Sequence, residues 1–152
     1  MNGEWGIKTI IHHSPRRHIM SEDSENFYVA EPRAIYGDDL RERTKAFALR
    51  IISLFRSLPK ATEAQVIGKQ MLRAGTSVGA NYREGSRARS TAEMIAKFGI
   101  CLQELDETKY WIELLSEAEI VESARLTSLF DEADQLIAIL TSSCRTLAQR
   151  ER

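Results

Sequence analysis

The sequence predicts an all-α protein: an antiparallel up-down-up-down four-helix bundle behind a poorly ordered N-terminal extension. Three observations carry this reading. Apolar residues recur at i, i+3, i+4 and i+7 through most of residues 39–148. Pro59 is the last of three prolines, so nothing after it forbids continuous helix. The periodic segments are joined by short links, which favours antiparallel neighbours.

Residues 1–37 mix Gly, Pro, His, Ser and acids without a sustained period, and are expected to form a tail outside a bundle of residues 38–152. The first helix is predicted from about Asp39, capped by Asp38 or Asp39, to Leu58. Leu40, Thr44, Phe47, Ala48, Ile51, Leu54, Phe55 and Leu58 form its stripe, and Pro59 ends it. The second is expected to start after Thr62, with Gln65 completing a capping box, and to run to about Gly85 or Arg87. Ser90 with Glu93 predicts a second capping box, opening a third helix. Its first apolar face holds Met94, Phe98, Cys101, Leu102, Leu105 and Ile112. Tyr110, Trp111 and Leu114 lie around the far side, giving more apolar surface than one core can cover. These three residues are therefore the expected oligomer interface. The fourth helix should run from about Ser123 to Ala148, with a stripe from Leu126 through Leu136 and Leu140 to Leu147.

Composition excludes more than it selects. At 152 residues and a net charge of −1, the chain is one domain with extra length and has no global attraction to nucleic acid or membrane. No apolar run is long enough to span a bilayer. Cys101 and Cys144 sit among apolar helical positions, as buried reduced thiols do, which fits a cytoplasmic location. No HExxH, CxxC or phosphate-binding glycine loop is present. His12, His13 and His18 lie in the tail without acids or cysteines at ligand spacing. Glu104 and Glu107 have the i, i+3 spacing of a di-iron bundle, but the bundle region contains no histidine. No catalytic residue, metal or cofactor is expected, and the protein is read as non-enzymatic.

The stretch Arg73–Gly85 is the most informative. Glycines 75, 79 and 85 each cost roughly 1 kcal/mol against alanine inside a helix, which is tolerated where something must approach the backbone. Asn81 borders the apolar face and is expected to bond a carboxylate or carbonyl of another helix, pinning register. Lys69, Arg73, Arg83 and Arg87 fall together on the opposite side. Residues 60–90 hold six Lys or Arg against two Glu, whereas residues 91–119 hold seven Asp or Glu against two Lys. Two readings follow: the second and third helices attract each other, or the basic stripe meets phosphates.

The run Arg73-Ala74-x-x-Ser77-Val78-x-x-Asn81-x-x-Glu84-Gly85, followed by Ser86-Arg87, resembles the signature of the four-helix bundle proteins encoded in intervening sequences of bacterial 23S rRNA genes. Phe98-x-Ile100-x-Leu102-x-Glu104-x-x-Glu107-Thr108 resembles the third helix of that family. The resemblance covers about residues 40–147. It implies a small cytoplasmic bundle without enzymatic activity that assembles with itself, typically as a ring-like homopentamer. It also implies kinship with the accessory variability proteins of diversity-generating retroelements, basic pentamers that bind nucleic acid and a reverse transcriptase. Carried to this chain, Lys69, Arg73, Arg83 and Arg87 become candidate contacts for RNA or a ribonucleoprotein. The rival expectation is a protein-interaction scaffold that docks its partner on Tyr110, Trp111 and Leu114 without binding nucleic acid.

Overall fold

A computed structural model describes residues 32–151, with side chains from residue 39. The readings made on His12, His13, His18 and the rest of residues 1–31 lie outside the described residues. The described chain is four α-helices without strands: α1 (Pro32–Ser57), α2 (Thr62–Ser86), α3 (Thr91–Glu117) and α4 (Thr127–Arg150), with a single 3-10 turn at Ser123–Arg125 before α4.

Helix α1 starts at Pro32, not near Asp39 as the sequence suggested. Proline in the first turn costs no intrahelical bond, because that N–H would be unpaired anyway. The other end falls as expected, with α1 stopping at Ser57 before Pro59. The capping box expected for α2 is not formed. Ala61 is the N-cap, and the Gln65 side chain donates to the Pro59 carbonyl at 2.7 Å. At α3 half of the box is as expected: Ser90 Oγ accepts from the Glu93 N–H at 3.1 Å. The return arm is displaced by one residue, because Glu93 accepts from the N–H of Arg89. Helix α3 ends in a left-handed turn at Glu119 (φ 55°), which lets the amides of Ile120 and Val121 reach the Leu115 carbonyl.

Contacts between helices fix the antiparallel order. A Cβ built on Gly75 would meet Ile51, and one on Gly79 would meet Thr44, so α2 runs back along α1. Cys101 Sγ donates to the Val78 carbonyl and the Tyr82 ring stacks on Phe98 at 5.3 Å, joining α2 to α3. Lys109 bonds Asp134 and lies over the Phe130 ring, joining α3 to α4. Arg43 closes the bundle from α1 to α4 with a fork on Glu132, both bonds 3.0 Å, and a third bond to Gln135. The core between these seams contains Phe47, Ile51, Met71, Val78, Leu105, Ile112, Leu115, Leu136 and Leu140, all essentially inaccessible to solvent. Thr44 and Thr108 are buried among them. Each donates its hydroxyl to a carbonyl of its own helix, so neither incurs the cost of an unpaired polar group.

Candidate nucleic-acid interface

The glycines of α2 set the geometry of its exposed side. At Gly75 a Cβ would lie 2.8 Å from Ile51 Cγ1, and at Gly79 it would lie 3.5 Å from the Thr44 carbonyl oxygen. The α1 and α2 backbones therefore approach closely on this line. Gly85 does the same towards α3, where a Cβ would be 2.8 Å from the Phe98 ring.

With Gly68, Gly75 and Gly79 against α1, Val78, Tyr82 and Gly85 against α3, and Met71 and Ala74 in the core, the opposite side of α2 faces water. Lys69, Arg73 and Arg83 are exposed there, and Arg87 is exposed at the helix C-cap. From Lys69 to Arg87 the stripe spans about 27 Å at 1.5 Å per residue. Among the described residues none of the four makes an ion pair; those found involve Arg43, Lys45, Arg89, Lys97 and Lys109. The attraction expected between the basic segment 60–90 and acidic α3 is realised at one place, Arg89 on Glu93 at 3.5 Å, and none of the four stripe cations takes part. The bridge that joins the two helices has the opposite polarity, Lys97 of α3 on Glu84 of α2. Lys69 and Arg73 lie apart from α3, while Arg83 and Arg87 border it without closing on an acid.

The motif residues have a different place. Asn81 does not reach another helix; its Nδ2 donates to the Ser77 carbonyl, one turn back on α2, at 3.0 Å. The expected cross-helix pin is therefore replaced by a bond within the helix, at a position that is only half-buried. Glu84 holds Lys97, which raises the Lys97 pKa through that hydrogen bond. Glu107 accepts from the Trp111 indole N–H at 3.1 Å, and the Glu104 carbonyl takes the Thr108 hydroxyl. Of the motif, Glu84 and Gly85 join α2 to α3, Ser77, Asn81, Glu104 and Glu107 bond within their own helices, and Arg73 and Arg87 belong to the basic stripe.

A shallow concavity lies where α2 gives way to α3, lined by Arg83, Glu84, Arg87, Glu93 and Lys97. Its carboxylates are occupied. Glu84 takes Lys97, and Glu93 takes the amide and side chain of Arg89, which hold its pKa below the usual range. Arg83 and Arg87 are left to face solvent. No group of acids, histidines and cysteines suited to a metal occurs among the described residues. No described helix is long and apolar enough to cross a membrane.

The residues expected at an oligomer interface divide. Tyr110 is 51% exposed and packs edge-on against Trp111 at 4.9 Å, while Trp111 and Leu114 are half-buried. Leu49 and Val66 are exposed as well, at 57% and 59%, and were not singled out from the sequence. Both look like ordinary members of an amphipathic pattern until the bundle shows which flank is wet.

No curated protein matches the chain. Among solved structures, it is similar to a protein of unknown function from the S23 ribosomal protein family of Bacteroides thetaiotaomicron. The two share 35% identity with a TM-score of 0.68, over 72% of this chain and 97% of that one. The sequence pattern of the 23S rRNA-intervening sequence proteins matches residues 39–142, from the first described side chains to the last turns of α4. The chain belongs to the 23S rRNA-intervening sequence protein family.

Proposed function

We propose that the protein is a non-enzymatic, cytoplasmic bundle that assembles with copies of itself, in a ring of five, and binds RNA or a ribonucleoprotein through the basic side of α2. The observation that carries this reading is the set of four cations, Lys69, Arg73, Arg83 and Arg87, held exposed and without ion pairs among the described residues along about 27 Å of one helix. Cations that stabilise a bundle have acids beside them, as Arg43 and Lys109 do. The four α2 cations close on no acid among the described residues, which leaves them free to bind phosphates by releasing the counterions of the nucleic acid. The kinship expected with the accessory variability proteins belongs to the same proposal. Self-assembly is supported by Tyr110, an exposed aromatic beside the half-buried Trp111 and Leu114.

Titration of a fluorescent structured RNA, at two salt concentrations and with the absolute mass followed by light scattering, tests both parts. Micromolar or tighter binding that weakens with salt is expected, to a species several protomers in mass. Absence of binding at low salt ends the RNA reading, and a monomer at all concentrations ends the assembly reading. A second reading, a scaffold for a protein partner docked at Tyr110, Trp111 and Leu114, is favoured by the same exposed aromatic. It predicts that charge reversal at Arg83 and Arg87 leaves function intact while Trp111→Ala damages it.

A further inference from the structure

RNA binding through α2 alone uses a single row of cations. We infer that the docking surface is a two-helix face, in which Arg41, Lys45 and Arg56 of α1 form a second row beside the α2 stripe, and that it takes the phosphate backbone of base-paired RNA. This rests on the RNA reading above.

The contacts fix how each helix is turned. On α1, Thr44, Ile51, Phe55 and Leu58 meet the glycines of α2, and Arg43 and Arg50 bond α4. At about 100° per residue, the arc beyond Thr44 and away from Arg43 carries Arg41, Lys45, Ile52 and Arg56. All but the half-buried Ile52 are exposed. On α2, the arc beyond the glycines and away from α3 carries the basic stripe. The two arcs border the same groove. Register follows from the same contacts: Thr44 opposes Gly79, Ile51 opposes Gly75 and Phe55 opposes Gly68. Arg41 therefore comes level with Arg83, and Arg56 with Lys69. Side-chain-free contact at Gly75 and Gly79 places the helix axes near the short end of the usual range, about 8 Å. The rows are thus adjacent and parallel.

Little offsets this charge. Among the described residues the acids bordering the α1–α2 face are Glu42, largely exposed and 3.7 Å from Lys45, a pairing of small worth, and Glu84, which is taken by Lys97. Asp106, Glu113 and Glu117 lie on the arc of α3 turned from α2. A net charge of −1 is therefore the sum of segregated faces, and says little about what the basic one attracts.

The chemistry of the face selects among polyanions. Binding of single strands relies on aromatic platforms for unstacked bases. Among the described residues no exposed aromatic stands on this face; Tyr110 is on α3. Between the rows lie Ala48, Thr76 and the half-buried Leu72, so no fully exposed bulky side chain holds a rigid rod away. Base-paired RNA, recognised mainly by its shape and by its phosphates and 2′-hydroxyls, fits such a surface.

The test is anisotropy of a labelled RNA duplex of about 20 base pairs, longer than the roughly 16 that a dedicated duplex-binding domain spans, across a salt series with the full chain. Three variants are compared: Arg41→Gln/Lys45→Gln/Arg56→Gln, the fourfold Gln variant of Lys69, Arg73, Arg83 and Arg87, and an off-face control, Arg125→Gln/Arg145→Gln. Circular dichroism melts verify that each folds. The α1 variant is expected to bind at least about tenfold more weakly, with its salt slope shallower by about 2.7, three contacts at about 0.9 each. Arg41→Lys/Arg56→Lys should keep the slope, and the control should match the parent. If the α1 variant binds like the parent while the α2 variant fails, the two-helix face is wrong and the α2 reading stands. If neither variant changes binding, the RNA reading itself falls. Equal affinity for a single-stranded oligouridine of the same length, or for polyglutamate, overturns the assignment to base-paired RNA.

Discussion

Replacing Gly75 by alanine should destabilise the bundle although alanine is the better helix former. Propensity alone would yield a gain of about 1 kcal/mol in a helix interior. Against it stands the new methyl, 2.8 Å from Ile51 Cγ1, 3.0 Å from Cγ2 and 3.3 Å from Cβ. Ile51 is fully buried and β-branched, so rotation about its first torsion replaces one clashing branch by the other. Overpacking of this kind costs about 1–3 kcal/mol. Contact with Cβ itself points to the upper half of that range. The net loss should be about 1–2 kcal/mol. The control is Gly99→Ala on α3, where a Cβ would meet nothing within 4 Å and the propensity gain of about 1 kcal/mol should be kept. Urea unfolding at equilibrium measures both. The midpoint should fall for Gly75→Ala and rise for Gly99→Ala, with unchanged m-values. Ile51→Ala added to Gly75→Ala should then cost less than the sum of the single effects, because the clash vanishes and the methyl fills part of the cavity. If Gly75→Ala stabilises the protein as much as Gly99→Ala, the close approach of α1 and α2 is refuted, and with it the adjacency of the two basic rows.

Three further outcomes follow from the same structure. Arg43→Ala should cost about 1–2 kcal/mol, because it breaks a two-pronged, partly buried bond to Glu132; a double-mutant cycle with Glu132→Gln should return much of that as coupling, and a coupling near zero would show the fork to be idle. Burial pushes the Cys101 thiol up to about 12, so the folded state holds its proton where the unfolded chain, nearer 9, has lost it. The stability this contributes is complete below pH 9 and is lost as pH rises towards 12, by up to about 1.4 kcal/mol per pH unit. Cys101→Ala should flatten that alkaline limb in urea titrations at successive pH values, and an unchanged limb would contradict the burial of the thiol. Glu119→Gly should raise the thermal midpoint, since a non-glycine residue in the left-handed region costs about 1–2 kcal/mol; no gain would mean that this turn is not left-handed in solution.

The sequence by itself determined the helices. Period, Pro59 and the Ser90–Glu93 cap are local signals, and they settle that there are four helices and which side of each is apolar, though not every end: α1 reaches back to Pro32 and α4 starts at Thr127 rather than near Ser123. The resemblance carried by Arg73–Gly85 likewise pointed to the family that the chain proved to belong to. Partners across helices were not legible. Asn81 was expected to reach another helix and instead bonds Ser77, and the α2 cations were offered α3 as a partner they do not meet. Periodicity shows that residues share a face but not the angle at which that face meets its neighbour. That angle is decided only when Ile51 packs on Gly75 and Phe98 on Gly85, because steric fit between backbones acts across dozens of residues of chain. The same packing leaves Arg41, Lys45 and Arg56 exposed, off the sides of α1 that meet α2 and α4, which no window along one helix reveals.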